Sequence, residues 1–470
     1  MTQSTHNFKK AIQQALSDDY LQQALNTYPV QRTCQVQEIL NEFPDLQKLR
    51  DLARRIKDYT IDHLDELLSQ LADQMQSLGG HVHFASDDQH ARQIILDITR
   101  QHQSRLCIKS KSMVTEEINL TDALIENGVE TVETDLGEFI IQLAQERPSH
   151  IISPCLHVSR QKVAQLFHDH LNVPYTEDEN ELTLIARRCL RDKFQHADLG
   201  ITGVNLAVAQ TASLAIITNE GNGRFCTAGP PVQIAVMGLE KIVPNLTDLA
   251  VMLKLIARNA VGTRTSVYTS IITGPARPGE IDGPQHLHLV ILDNGRTNVL
   301  ASPYRQLLRC LRCGACMNTC PVYRKIGGHA YGFVYPGPIG AALMPIMKSY
   351  HPSTHMLPEL SSLCGACQEV CPVMIDLPRL LINHRRDLVK QQKSSLLYRF
   401  GLTVLGWFHK HPARYRFYQR ASRLCLRLLS RDGWVRRVPP PASAWTKNRD
   451  LPVPPKHSFA NVWSNTKGKP

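Results

Sequence analysis

The sequence contains no long apolar run. The first twenty residues hold no apolar stretch of about 7–15 residues followed by small residues, so we expect no secretory leader. A run of about 18 uncharged apolar residues is also missing, so we expect no membrane-spanning helix. These absences predict a cytoplasmic protein and leave open a peripheral position at the inner face of the membrane.

Several common catalytic and cofactor motifs are also missing. The sequence has no Walker loop and no serine-hydrolase elbow, and Gly200 and Gly203 of GITG do not form a G-x-G-x-x-G fingerprint. No flavin or nicotinamide motif stands out, so a hydride acceptor would have to be bound unconventionally or sit on a partner. Aromatic platforms that alternate with basic residues are not evident, so we expect no nucleic-acid partner.

Cysteine, in contrast, is abundant and unevenly placed. Seven of the thirteen cysteines lie between Cys310 and Cys371. Cysteines of a cytoplasmic chain are rarely paired in disulfides, so we expect metal binding there. We interpret the scattered ones as small buried hydrophobic residues. They are Cys34, Cys107, Cys155, Cys189, Cys226 and Cys425.

The clustered cysteines form two motifs with one spacing. Residues 310–321 read C-x2-C-x2-C-x3-C-P, and residues 361–372 repeat this with Ser361 in the first position. This spacing is typical of two-cluster iron–sulfur proteins, in which the fourth cysteine of each motif ligates the other cluster. Crossed ligation assigns Cys310, Cys313, Cys316 and Cys371 to cluster 1, and Cys320, Cys364 and Cys367 to cluster 2.

Two alternatives stay open for these cysteines. The fourth iron of cluster 2 has Ser361, water, a partner's ligand or no ligand, and in the last case the cluster becomes 3Fe–4S. Pairs of C-x2-C also build zinc ribbons, but zinc needs four ligands per site and seven cysteines fit it poorly.

Apolar patterning divides the chain into four parts. We predict a helical region at 1–78, an α/β domain with a largely parallel sheet at 79–300, an all-α cysteine-rich domain at 301–395, and a basic helical and proline-rich region at 396–470. The strands of the α/β domain are predicted at HVHFA, RLCIK, HIISP, LGITGV, LAIITN, IAVMG and HLHLVILD.

Two stretches of the α/β domain carry candidate site residues. Lys109 and Lys111 of KSKSM could cradle an anion at a helix start, although a capped helix with solvated lysines is the simpler interpretation. Glu220 could polarise a substrate and Arg224 could bind its carboxylate, although the same residues suit a solvated turn. The histidines in HVHFA and HLHLVILD are interpreted as ordinary strand residues.

The positive charge is concentrated near the end of the chain. Residues 385–447 contain fifteen Lys or Arg and two Asp, although the whole chain nets only +11. One basic stripe and one apolar stripe are predicted on a helix, which could dock on an anionic membrane or simply pack on its own protein. The basic stripe is Arg416, Arg420, Arg423, Arg427 and Arg431; the apolar stripe is Phe417, Ala421, Leu424 and Leu428.

Long motifs resemble one known family. LRCLRCGACMNTCPVYRKIGGHAYG, SSLCGACQEVCPV, KSKSMVTEEINL and GITGVNLAVAQTASLAIITNEGNGR are similar to the lactate-utilisation iron–sulfur protein B family with its LUD domain. The resemblance implies a LUD fold like that of sugar-phosphate isomerases and CoA-transferases, an α-helical ferredoxin segment and two 4Fe–4S clusters. It also implies two partners, a Cys-rich CCG-type subunit and a LUD-only subunit.

The resemblance therefore predicts an iron–sulfur electron-transfer subunit in a three-component system that oxidises L-lactate to pyruvate. The alternative is an autonomous carboxylate-oxidising enzyme, with its active site in the LUD domain and the clusters as its redox outlet.

Overall fold

The structure is a computed structural model that describes most of the chain. It covers residues 7–393, 396–440, 443, 445–447, 449–457 and 459–466. The chain forms two compact units, which divide after Leu388. The finer division at residues 78, 300 and 395 stays a prediction.

The first unit begins with four helices. Asn7 and Asp18 cap the first two, because their side chains accept hydrogen bonds from backbone N–H groups of the first turn. The last of the four buries one apolar side and stops just before Gly79, whose φ of 88° suits glycine. The helices are α1 (Phe8–Ser17), α2 (Asp19–Asn41), α3 (Leu46–Asp62) and α4 (Leu64–Ser77).

The α/β part contains two sheets. The larger is wholly parallel, with order β1-β10-β7-β4-β2-β3, and the smaller is mixed, with order β8-β5-β6-β9. The predicted α/β class with a parallel sheet is therefore confirmed. The strands are β1 (His81–Ala85), β2 (Leu106–Lys109), β3 (Glu130–Glu133), β4 (Leu199–Gly203), β5 (Leu206–Val208), β6 (Ser213–Thr218), β7 (Val232–Gly238), β8 (Ile242–Val243), β9 (Tyr268–Thr273) and β10 (His286–Leu292).

Helices cover both faces of the larger sheet. On one face Ile95 of the first connecting helix shares a core with Ile234, and on the other Leu71 of α4 shares a core with Met237. Such burial on both faces explains the continuous apolar runs of these strands. The connecting helices are α5 (Asp88–Gln101), α6 (Met113–Glu117), α7 (Leu120–Glu126), α8 (Leu136–Ala144), α9 (Arg160–Leu171), α10 (Glu179–His196), α11 (Asn222–Ala228) and α12 (Leu246–Val261).

One predicted strand is wrong. HIISP, residues 150–154, has no strand conformation, and β3 takes a place in the sheet that the apolar pattern did not reveal. The short β5 and the half-exposed β9 were also not predicted. In HIISP the apolar residues pack against the cysteine-rich segment instead of a neighbouring strand: Ile151 belongs to the same core as Met317.

The regular elements from Arg296 to Lys390 are helical. Their apolar residues share a core with α2 and α12, which places the cysteine motifs against the α/β part. The α-helices are α13 (Arg296–Leu300), α14 (Ala315–Asn318), α15 (Tyr323–Ile326), α16 (Gly337–Met347), α17 (Ala366–Glu369) and α18 (Leu377–Lys390). Short 3₁₀ helices cover Arg305–Arg309, His329–Tyr331, Pro352–Thr354 and Leu357–Glu359.

The second unit contains α19 (Leu396–His409), α20 (Pro412–Leu428) and α21 (Phe459–Thr466), with a short antiparallel pair of β11 (Trp434–Val435) and β12 (Leu451–Pro452). No described helix is long and apolar enough to cross a membrane. Part of the predicted proline-rich end, including residues 441–442, lies outside the described residues.

Helix α20 carries most of the two predicted stripes. Phe417, Leu424 and Leu428 are exposed, and Arg423 donates to the carbonyl oxygens of residues 455 and 456. Arg431 lies beyond the helix end, so the predicted basic stripe is one residue shorter on the helix. Some of the basic charge is therefore used within this unit.

The scattered cysteines differ in burial. Cys107 and Cys226 are buried as predicted, whereas Cys34 and Cys425 are exposed, so the buried interpretation is wrong for those two.

Strand pairing gathers histidines at one edge of the larger sheet. His81 of β1 lies opposite His288 of β10, and His83 and His102 lie within 3.2 Å and 3.3 Å of the two ring nitrogens of His288. Burial, followed by the neighbouring imidazoles, lowers the pKa of His288 to about 3. Because each partner uses a different nitrogen of His288, the three rings form a chain rather than one ligand set.

This histidine chain predicts acid sensitivity. Between pH 6.5 and 5 an unfolded histidine binds a proton while folded His288 stays neutral, so stability is lost as pH falls. We expect His288→Asn to reduce that loss by about 1 kcal/mol. Anaerobic unfolding at pH 7.0, 6.0 and 5.0 measures it, with His196→Asn at an exposed site as the control. Equal pH slopes in wild type and both variants would contradict the prediction.

Candidate iron–sulfur site

The two cysteine motifs have the same backbone conformation. Arg312 and Leu363, each just before the second cysteine position, have φ values of 59° and 58°. Gly314 and Gly365 follow that cysteine with φ values of 75° and 89°, and each precedes a four-residue helix, α14 or α17. The loops of the two motifs therefore present their side chains in the same way.

The thiols fall into two neighbouring groups. Cys313 has Cys310 and Cys371 as electrostatic neighbours, and Cys316 has those three and Cys367. Cys367 has Cys320 and Cys364 as its neighbours. The last cysteine of each motif therefore lies near cysteines of the other motif, and the assignment of these cysteines as cluster ligands stays a prediction. We name them group 1 (Cys310, Cys313, Cys316 and Cys371) and group 2 (Cys320, Cys364 and Cys367).

Burial favours the protonated thiol at several of these cysteines. Together with nearby thiols, it raises the pKa of Cys313 to about 12 and that of Cys371 to about 11. Metal binding must therefore release protons from the groups. Among the described side chains, no three His, Cys, Asp or Glu converge on a single metal ion. The groups are neighbouring thiols, not preformed single-ion sites.

Three buried hydrogen-bond donors without partners lie near the two groups. Nη1 of Arg312, Nε of Arg50 and the hydroxyl of Tyr331 are buried and have no hydrogen-bond partner among the described residues. Arg312 and Arg50 are electrostatic neighbours of group 1 cysteines, and Tyr331 is an electrostatic neighbour of Cys320. Buried donors without acceptors are costly. An anionic cluster whose sulfides accept hydrogen bonds fits this arrangement.

Backbone N–H groups also reach the sulfur atoms. Ile375 donates to Sγ of Cys371 at 3.3 Å, Arg312 to Sγ of Cys310 at 3.4 Å, and Tyr323 to Sγ of Cys320 at 3.5 Å. Such bonds stabilise thiolate ligands and influence the reduction potential of a cluster.

A buried ion network joins group 1 to the α/β part. Arg296 is 1% exposed and binds Glu117 of α6 at 2.8 Å and Glu240, after β7, at 2.7 Å. Glu240 also lies 3.5 Å from Arg312, whose guanidinium stacks over Tyr335 at 4.3 Å. Burial alone would raise the pKa of Glu240, but Arg296 and Arg312 outweigh it and lower the pKa to about 2.

Two lysines extend this network to the backbone. Nζ of Lys241 donates to the carbonyl oxygen of Cys310 at 3.1 Å, and Nζ of Lys57 donates to that of Glu240 at 2.6 Å. Helix α3, the larger sheet and the first cysteine motif are thereby tied together.

The loop mispredicted as a strand contacts the cysteine-rich segment directly. Nε2 of His150 lies 3.0 Å from Oδ1 of Asn318 in α14, and the Tyr323 hydroxyl donates to the Ser149 carbonyl oxygen at 2.7 Å. Gly328 is needed there, because a Cβ atom would lie 1.8 Å from that same oxygen.

The structure places the predicted anion-site lysines among acidic groups. Lys109, at the end of β2, is fully buried and binds Glu133 at 2.6 Å and Glu116 at 3.0 Å. Lys111 donates to the Ile152 carbonyl oxygen at 2.5 Å. The charge of Lys109 is already balanced within the protein, which weighs against its use in an anion site.

Of the other candidate pair, Glu220 and Arg224, the first has Lys111 as an electrostatic neighbour. Glu220 is exposed, and its pKa is raised by partial desolvation and then by Asp135, while Lys111 acts in the opposite direction. Arg224 is exposed on α11. The turn predicted around these residues is the start of that helix.

Two buried carboxylates were not predicted as site residues. Oε2 of Glu133 and Oε1 of Glu138 have no hydrogen-bond partner among the described residues. Burial, then Glu116 and Glu133, raises the pKa of Glu138 to about 8. They lie near the carboxyl ends of β2 and β3. The strand order reverses beside them, between β2 and β4, and such a switch point is the usual ligand crevice of parallel sheets. No motif in the sequence analysis singles out these two residues.

Two family models match separate parts of the chain. Residues 68–292 match the LUD domain, and residues 306–375 match the 4Fe-4S dicluster domain. Lactate utilization protein B of Bacillus licheniformis is 40% identical over 97% of this chain and 96% of its own, and that of Bacillus subtilis is 39% identical over 98% and 96%. This chain belongs to the lactate utilization protein B family.

Another relative carries a different name. The uncharacterized electron transport protein YkgF of Escherichia coli is 40% identical over 97% of this chain and 96% of its own. A solved DUF162 family protein of Deinococcus radiodurans covers 49% of this chain and 98% of its own, at 12% identity and a TM-score of 0.28.

The dicluster match decides the cofactor class in this lactate utilization protein B family member. The matched segment contains every cysteine of groups 1 and 2. Iron–sulfur clusters, not zinc, are therefore the metal centres of this segment, in agreement with the orphaned donors.

The buried network predicts a large effect of one substitution. Arg296→Met leaves Glu117 and Glu240 buried without their main partner, and we expect the free energy of unfolding to fall by about 3–5 kcal/mol. Anaerobic unfolding of the holoprotein measures the loss. Arg305→Met, which breaks the surface pair with Asp62, is the control and should cost less than about 1 kcal/mol. Equal losses in the two variants would contradict the role of the network.

Proposed function

We propose that this chain is an iron–sulfur electron-transfer protein of L-lactate degradation, acting in a three-component complex that converts lactate to pyruvate. The observation that carries the proposal is that groups 1 and 2 are neighbours. Cys316 of group 1 has Cys367 of group 2 as an electrostatic neighbour. Two clusters held this way form a short electron path. The names of the relatives supply the substrate.

The groups differ in their access to solvent. Group 1 is fixed against the α/β part by the Arg296 network, whereas Cys364 of group 2 is exposed. In the proposal, electrons pass to or from a partner through group 2. We propose a Cys-rich subunit and a LUD-only subunit as those partners, and the apolar and basic side of α20 as a possible contact with the membrane surface.

The proposal also includes the similarity of two parts of the chain to known folds. It relates the α/β part to sugar-phosphate isomerases and CoA-transferases, and the helical segment to α-helical ferredoxins. It also includes two clusters, one in each group.

One observation favours a second candidate function, an autonomous carboxylate-oxidising enzyme. The unpartnered carboxyl of Glu138 lies in the sheet crevice, and Lys111 of the same crevice acts on both Glu138 and His150, which contacts α14 of group 1. A carboxyl with a pKa near 8 can exchange a proton at neutral pH. A substrate bound there would lie beside the clusters.

Crossed ligation predicts reciprocal effects. Cys320→Ala should destroy the centre of group 2 although Cys320 belongs to the first motif, and Cys371→Ala should destroy that of group 1. Anaerobic iron counting and electron paramagnetic resonance distinguish the centres, with Cys34→Ala as the control outside both groups. Loss of group 1 in the Cys320 variant, with group 2 intact, would refute crossed ligation.

The electron-transfer role predicts dependence on partners. Isolated holoprotein should not oxidise L-lactate with an artificial acceptor, and cells lacking this gene should lose growth on L-lactate. Wild type and Cys425→Ala should restore growth, and Cys313→Ala should not. Turnover by the isolated wild type that is lost in Glu138→Gln and Glu220→Gln would support the autonomous enzyme instead.

A further inference from the structure

Ser361 takes the place in the second motif that Cys310 takes in the first. In the first motif the N–H of Arg312 donates to Sγ of Cys310 at 3.4 Å. In the second, the N–H of Leu363 donates to Oγ of Ser361 at 3.1 Å. The serine oxygen therefore has the same local backbone partner as the ligand sulfur.

The backbone around Ser361 is that of a ligand loop. Leu363 keeps the left-handed conformation of Arg312, although this conformation is unfavourable for residues other than glycine. In the first motif this conformation aims three thiols of group 1. The second motif keeps this conformation although it has thiols at only two of the three corresponding positions. We take this as a sign that its first position, Ser361, also presents a ligand.

A clamp from α18 holds Ser361 in position. The guanidinium of Arg385 donates to the carbonyl oxygens of Ser361 and Pro358, at 2.9 Å each, and lies 3.6 Å from the Glu359 carboxylate. The N–H of Ser361 donates to the Glu359 carbonyl oxygen at 2.8 Å. The residue is only partly buried, so a proton released from its hydroxyl can reach solvent.

We infer that Oγ of Ser361 ligates the fourth iron of the group 2 centre, an inference that rests on the proposed two-cluster function. The Fe–O bond forms as the O–H bond breaks, and the proton leaves to solvent. An alkoxide is a harder donor than a thiolate and stabilises the more oxidised iron. Ligation by Ser361 therefore lowers the reduction potential of this centre relative to an all-cysteine cluster.

Three variants test this assignment in the full-length holoprotein. Ser361→Ala removes the ligand, so the oxidised group 2 centre should show the resonance of a three-iron cluster and the protein should lose about one iron. Ser361→Cys should keep four irons in that centre and raise its potential in an anaerobic redox titration. Ser362→Ala, at the exposed neighbouring serine, is the matched control and should equal wild type.

The outcomes separate this inference from the proposed function. If Ser361→Ala keeps four irons and an unchanged potential, Ser361 is not a ligand, although the two centres and their role stand. A three-iron group 2 centre in the wild type also overturns the assignment alone, as does a strong ¹⁷O coupling from labelled water at that centre. A wild type that assembles no centre in either group would overturn both.

Discussion

The Arg296 network is the interaction on which the metal-binding part of this structure depends. Arg296 sits between Glu117 and Glu240, and Glu240 extends the chain of charges to Arg312, inside the first cysteine motif. Buried charges are tolerated only when all partners are present, so removing one exposes the others to an apolar environment. The sheet and the loop of group 1 are therefore held in a fixed arrangement.

The thiol groups show why this rigidity is needed. Burial raises the pKa of Cys313 and Cys367 to about 12 each, so these two cysteines form thiolates only at a cost until iron binds. The compensating groups are already in place: Arg312 and Tyr331 have buried donors without acceptors, and backbone N–H groups point at the sulfurs. Folding supplies these donors, and the iron supplies the charge that makes them useful.

Residue spacing predicted those parts of the molecule that depend on local chemistry. The positions of the cysteines predicted an iron–sulfur segment, and Val- and Ile-rich runs predicted most strands of the larger sheet. Spacing cannot predict which distant group neutralises a charge, so neither the anion site nor the solvated lysine considered for Lys109 anticipates its ion pairs with Glu133 and Glu116. HIISP failed for a related reason, because an apolar run does not reveal whether it pairs with a strand or docks on another segment.

The asymmetry between the two groups follows from the same constraint. Group 1 has four thiols, and the ion network joins its loop to the α/β part. Group 2 has three thiols and an exposed Cys364, and its loop is held by Arg385, which binds backbone oxygens rather than buried carboxylates. The group nearer solvent is thus the one whose ligands can change without disturbing the core, and it is there that serine replaces cysteine.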